Sequence, residues 1–237
     1  MIVESVLEQI TTPEEAFLVG YLAGDATFRY NKKKLASGEI RLHPQIYISD
    51  TMDLDILNWI VVNFPNTGVR TRERIIKNKN RVMHTLYFPK AFQMSLEKFG
   101  LFNHKPTREI LGVPDDLFLY AFQGLSLADG CVYIRNRKDC KTPRLNFCIA
   151  HQSYPLFNYL KEKLNTEFNY PSQIKTRPNE NVIYLDCQHT EENKKFLKLL
   201  FVDTECPVQH KKVIDTKNYL TLYPEGLDRE IKSKFKD

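Results

Sequence analysis

The chain runs through one structural plan twice, and that repeat constrains its fold more than any other feature. Glu14 to Asp25 reads as a helix, with Pro13 near its start, Thr11 or Thr12 able to cap it, and Phe17, Leu18, Tyr21 and Leu22 at helical spacing. Asp116 to Asp129 has the same character behind Pro114 and Asp115. Each helix ends in an aspartate and runs into a strand, Ala26 to Tyr30 in one case and Cys131 to Arg137 in the other. A polar loop and a second strand follow, through Lys32 to Lys34 to residues 39–49, and through Lys138 to Thr142 to residues 144–150. Next come a helix (52–64 and 154–164), a hairpin (68–76 with 81–88, and 172–177 with 182–187) and a closing helix (91–99 and 191–201). The two aspartates stand 104 residues apart.

This repeat predicts an α+β fold. It consists of two pseudo-symmetric αββαββα half-domains, with antiparallel sheets and the first helix of each half at the centre. The boundary falls between residues 107 and 108, giving halves of 1–107 and 108–237. The join near Lys105 to Pro114 is too short for a flexible linker, so the halves should pack intimately in a monomer.

The strand faces carry a second signal. In residues 39–49, Ile40, Leu42, Pro44, Ile46 and Ile48 alternate with Arg41, His43, Gln45, Tyr47 and Ser49. The apolar set suits packing on helices, and the polar set is left facing outward. Arg70, Arg72 and Arg74 share a face, as do Arg135 and Arg137, Arg144 and Asn146, and Gln173, Lys175 and Arg177; Arg29 belongs to the same basic set. Recurrence in both halves points to one basic surface whose side chains reach phosphates and base edges of nucleic acid. The formal charge of +5 suits a polyanionic partner.

Small residues four apart, Gly20 and Gly24 in one helix and Gly124 and Ala128 in the other, allow two helix backbones to approach closely. If these helices pack together, Asp25 and Asp129 meet where their ends meet. Two like charges at helix C-termini are unfavourable, and a divalent cation offsets that.

Val19-Gly20-Tyr21-Leu22-Ala23-Gly24-Asp25-Ala26 and Gln123-Gly124-Leu125-Ser126-Leu127-Ala128-Asp129-Gly130 resemble the paired motifs of LAGLIDADG homing endonucleases in their two-motif, single-chain form. The resemblance spans roughly residues 14 to 220 and implies that the antiparallel sheets are saddle-shaped. It implies site-specific cutting of both strands of a long, partly palindromic DNA duplex, leaving short 3′ overhangs. Asp25 and Asp129 would hold Mg²⁺, or Mn²⁺ in its place. Lys105 and Lys211 best match the family's basic residue after the last helix of each half, with Lys212 a near competitor. Asp50 and His151 match polar residues that position water. The first motif departs from the family in ending on Ala26 rather than glycine.

Other classes fit less well. No apolar run reaches the length of about 18 residues that a membrane span needs, and the N-terminus lacks a secretory pattern. The expected setting is therefore cytoplasmic or nucleoid-associated, with organellar expression not excluded. Five cysteines without CxxC spacing argue against a disulfide framework or structural zinc. The competing readings on the same fold are an intron RNA maturase, with host intron RNA as partner, and a non-catalytic DNA-binding protein. Both acids are retained, which favours the nuclease.

Overall fold

The computed structural model describes residues 7–48, 54–64, 66–76, 79–110, 112–136, 142–178, 180–187 and 189–224. Asp50 and Arg137 lie outside these residues, as do the strand side chains of Arg29, His43, Gln45, Arg72 and Arg74 and the side chain of Lys105.

Helix α1 (Pro13–Asp25) starts where the sequence sets its cap. Thr12 accepts the Glu15 amide at 3.2 Å, and the Glu15 carboxylate accepts the Thr12 amide at 3.1 Å. From Ala16 to Gly24 every residue of α1 is buried. A helix apolar on all sides needs partners all round. One is α4 (Phe118–Ala128), entered through a short 3₁₀ turn at Asp115–Leu117 and buried from Ala121 to Leu127. Trp59 adds an edge-on contact to Phe17, with ring centres 4.8 Å apart.

The α1–α4 contact is made backbone to backbone. A Cβ on Gly20 would lie 1.8 Å from the Ala121 carbonyl oxygen, and one on Gly124 would lie 2.0 Å from that of Phe17. Under the 104-residue offset, Gly20 maps to Gly124 and Phe17 to Ala121, so the two contacts are reciprocal.

The chain divides into two compact units: Met1–His104 with Arg108–Ala128, and Lys105–Thr107 with Asp129–Asp237. Helix α4 belongs to the second half by sequence but groups with α1, because the glycines allow that contact.

In the first unit, β1 (Ala26–Lys34) pairs antiparallel with β2 (Ile40–Ile48), and β3 (Gly68–Ile76) pairs with β4 (Lys79–Tyr87). Strand β2 runs beside β4, with α2 (Leu54–Asn63) preceding β3. Helix α3 (Lys90–Ser95) and a 3₁₀ turn close the plan at Gly100, whose φ is 76°. In the second unit the corresponding strands form one sheet in the order β5-β6-β8-β7. These strands are β5 (Gly130–Arg135), β6 (Arg144–His151), β7 (Gln173–Thr176) and β8 (Ile183–Cys187), with α5 (Tyr154–Glu167) and α6 (Thr190–Lys198) between and after them.

Three details differ from the sequence reading. Lys32, Lys33 and Lys34 lie within β1, because the hairpin continues to a turn at Gly38 with φ 84°. On the apolar face of β2, Ile46 and Ile48 are buried, whereas Ile40 and Leu42 are exposed, since the hairpin tip extends past the core. An additional helix, α7 (Lys211–Leu222), follows α6, and its Tyr219 hydroxyl donates to the Pro143 carbonyl at 2.6 Å.

Replacing either contact glycine should disrupt the helix pair. Gly20→Ala and Gly124→Ala should each destabilise by about 3 kcal/mol or more, since backbone must move to admit the methyl. Gly68→Ala, with nothing within 4 Å of the added Cβ, should stay within about 0.5 kcal/mol of the parent. Urea unfolding of the three variants checks the ordering.

Candidate functional site

Asp25 is the last residue of α1 and is half-buried. The chain passes from it straight into β1. Ala26 has φ −80° and ψ 139°, and its amide donates to the Leu22 carbonyl. That backbone is ordinary extended conformation, so the junction tolerates alanine where the resembling motif has glycine.

The last turn of α1 holds no basic residue. Arg108 supplies one from far along the chain. It is 4 % exposed, and its Nη1 donates to the carbonyls of Ala23 at 2.8 Å and Ala26 at 3.2 Å. Its guanidinium lies 5.1 Å from the centre of the Phe28 ring. The arginine therefore ties together backbone on both sides of Asp25 and places positive charge at the negative end of the helix. Sequence reading missed it. Its one signal was spacing: Asp25 to Arg108 and Asp129 to Lys212 are the same 83-residue step, which Lys105 and Lys211 do not share.

Asp129 follows α4, and its carbonyl accepts the Ala150 amide at 3.2 Å, extending the β5–β6 ladder by one rung. Its side chain is 18 % exposed. His151, the last residue of β6, has a fully buried side chain with Nε2 3.8 Å from Asp129 Oδ2. His151 Nδ1 accepts the Ser153 amide at 2.9 Å, so in the neutral ring the proton sits on Nε2 and faces the carboxylate. Ser153 in turn caps α5 through the Leu156 amide.

Lys105 opens a short 3₁₀ turn, Lys105–Thr107. Lys211 starts α7 with its side chain 79 % exposed and paired to Asp215, whereas Lys212 is half-buried. No group of three or more His, Cys, Asp or Glu side chains suited to a metal occurs among the described residues. Among the described residues, each half thus offers one hard carboxylate at a helix end rather than a closed protein cage. Such a sparse oxygen donor set fits Mg²⁺, which keeps waters and takes phosphate oxygens.

The basic strands show their arrangement in the register. Lys33 stands opposite Arg41, Arg74 opposite Arg81, and Arg135 opposite Arg144. Like charges directly across a strand pair destabilise it, yet three hairpins repeat the arrangement. Arg29 opposite Gln45 and Asn31 opposite His43 continue the first row. In β3, Arg70 is exposed. In the second unit Asn146 alternates with the buried Leu145 and Phe147, which puts it on the open face of the sheet with Arg144. Lys175 pairs with Asp186 at 2.8 Å, and Arg177 lies 4.3 Å from the Tyr184 ring centre.

Helix pair, paired hairpins and the doubled strand plan define a known class: the fold is that of the LAGLIDADG homing endonucleases. The chain aligns with I-SmaMI bound to cleaved DNA at a TM-score of 0.58 and 14 % identity, covering 95 % of this chain and 96 % of that one. It aligns with I-GzeII in complex with its DNA target at 0.57 and 15 %, covering 97 % and 92 %. A structure of I-SmaMI on uncleaved DNA in the presence of calcium ions aligns at 0.54 and 15 %, covering 94 % and 97 %. No protein-family model matches the sequence, and no curated protein matches it. Identities this low establish the fold.

Two measurements test the geometry. Arg108→Ala leaves two carbonyls without their donor and should cost about 1–3 kcal/mol of stability; thermal unfolding beside Arg108→Lys, which keeps a donor, should rank alanine lower. Removing Arg135 or Arg144 relieves a like-charge pair. Each alanine variant should gain a few tenths of a kcal/mol in stability, which urea unfolding measures.

Proposed function

We propose that this protein is a site-specific endonuclease for double-stranded DNA, hydrolysing phosphodiester bonds in both strands with divalent metal. The observation that carries this reading is the opposed cations in three hairpins of a chain whose two central helices each lead to an aspartate. A polyanion lying on the strands offsets the repulsion that the hairpins carry alone. Related folds in complex with DNA targets, one of them cleaved, support DNA as the partner.

Asp25 and Asp129 would hold Mg²⁺, or Mn²⁺ as a substitute; I-SmaMI on DNA with calcium ions supports divalent metal use. When bound, the ion polarises the scissile phosphate and acidifies water. The rest of the work belongs to the chain. Arg108 fixes the helix–strand junction that carries Asp25. His151 directs its Nε2–H towards Asp129 and orients that carboxylate. Lys105 and Lys211 neutralise charge that develops on the phosphate, Lys211 by leaving Asp215, and Asp50 organises water in the first half. The unlike partners of the two acids match a target that is long and only partly palindromic, read by a monomer.

Asp25→Asn and Asp129→Asn keep side-chain size and remove charge. Each should reduce cleavage by at least about 100-fold in Mg²⁺, a loss of roughly 3 kcal/mol of transition-state stabilisation, while duplex binding persists. Nicking, double-strand cutting and binding measured separately decide the matter. Cleavage at the parental rate by both variants would remove these residues from the mechanism.

A further inference from the structure

One acid breaks the pattern of the basic sheet. Asp186 is the only carboxylate in the four strands β5 to β8. It lies in β8, one of the two inner strands, where Ile183, Leu185 and Cys187 are buried and Tyr184 and Asp186 are half-buried. The alternation sets Asp186 on the open face, in one transverse row with Cys131, Cys148 and Gln173. Burial pushes the Cys148 thiol up to about 11, so this neighbour brings no charge to the row near neutral pH.

A carboxylate on a phosphate-binding face weakens DNA binding unless it finds a donor. Asp186 Oδ2 is held by Lys175 Nζ at 2.8 Å. Oδ1 is enclosed and has no hydrogen-bond partner among the described residues. A quarter of the side chain remains exposed, and with Oδ1 enclosed, Oδ2 is the oxygen that a group on the open face would meet once Lys175 turns away. In the major groove the donors that a carboxylate can accept from are exocyclic amines, N4 of cytosine and N6 of adenine. Guanine O6 and thymine O4 are acceptors and repel it.

We infer that Asp186 is a specificity-determining residue that reads a base bearing an exocyclic amine in the half-site bound by β5 to β8. The inference rests on the DNA-cutting reading above. Lys175 neutralises the carboxylate in the free protein and can turn to a phosphate or guanine when DNA is bound. The register also sets an order along the half-site. Two residues of strand advance by roughly 6.6 Å, close to two base steps at about 3.4 Å each. Cys131, in the row of Asp186, is one such step from Asp129; Tyr133 with Asn146 is two, and Arg135 with Arg144 is three. The amine-bearing base therefore lies nearer the cut than the bases or phosphates met by Arg144.

Selection from a randomised duplex library, without Mg²⁺ so that bound DNA stays intact, tests this with the full-length protein. The wild type should prefer cytosine or adenine by roughly tenfold or more at one position. Asp186→Asn, whose amide both donates and accepts, should flatten the preference there alone without lowering overall affinity. Asp186→Glu should restore it. Lys175→Ala, which leaves the carboxylate in place, should retain the preference while weakening binding to all sequences. The base altered by Asp186→Asn should lie closer to the cut than any altered by Arg144→Ala. A wild-type site whose base preferences are unchanged in Asp186→Asn overturns the inference and leaves the endonuclease reading intact. So does a uniform fall in affinity with no change in preference. Failure of the wild type to enrich any site overturns both.

Discussion

The close approach of α1 and α4 is the contact on which the rest of the molecule depends. Two helix backbones touch without intervening side chains at Gly20 and Gly124, and this is why both helices can be apolar on every side. The contact also ranks the constraints on the sequence. Many apolar residues fit the buried faces of α1, but the contact positions accept no side chain. Because the contacts are reciprocal under the repeat, one steric rule is imposed twice. The aspartates follow directly from these helices, so the least deformable elements of the chain lead to the groups proposed to hold metal.

Around that shared frame the two halves diverge. The first acid is braced by a buried arginine that binds backbone carbonyls on either side of it. The second faces a buried histidine whose tautomer is set by the Ser153 amide. An always-charged guanidinium and an imidazole impose different fields on otherwise matched carboxylates. The sheets diverge as well: two separate hairpins with β2 beside β4 in one unit, a continuous four-stranded sheet in the other. Opposed cations are common to both. In the free protein that arrangement is a modest electrostatic penalty, and it becomes favourable when phosphates lie across the strands.

Local patterns carried most of the fold in the sequence. Thr12, Pro13 and Glu15 mark a helix start by hydrogen bonds within one turn, and alternation along β6 and β8 shows directly in burial. Features set by distant contacts were hidden. Lys32 to Lys34 look like loop because of their charge, yet ladder pairing with residues 40–42 holds them in a strand. Arg108 sits in an irregular segment with no periodicity, and its role exists only once α1 ends beside it. Helix α7 is amphipathic but follows a π-helical turn at Leu199–Asp203 that obscures where one helix ends and the next begins. Asp186 is an isolated acid among basic strands, and it acquires meaning only from the row it shares across β5, β6, β8 and β7.

Every role proposed for these residues depends on cutting of DNA. The full-length protein should be incubated with a randomised duplex library in Mg²⁺ and the ends of the products sequenced. Breaks should appear in both strands, a short fixed distance apart, within one recurrent asymmetric sequence, and should disappear when the metal is chelated. Intact duplex at every sequence in the library, or breaks spread evenly over unrelated sequences, would contradict the endonuclease reading.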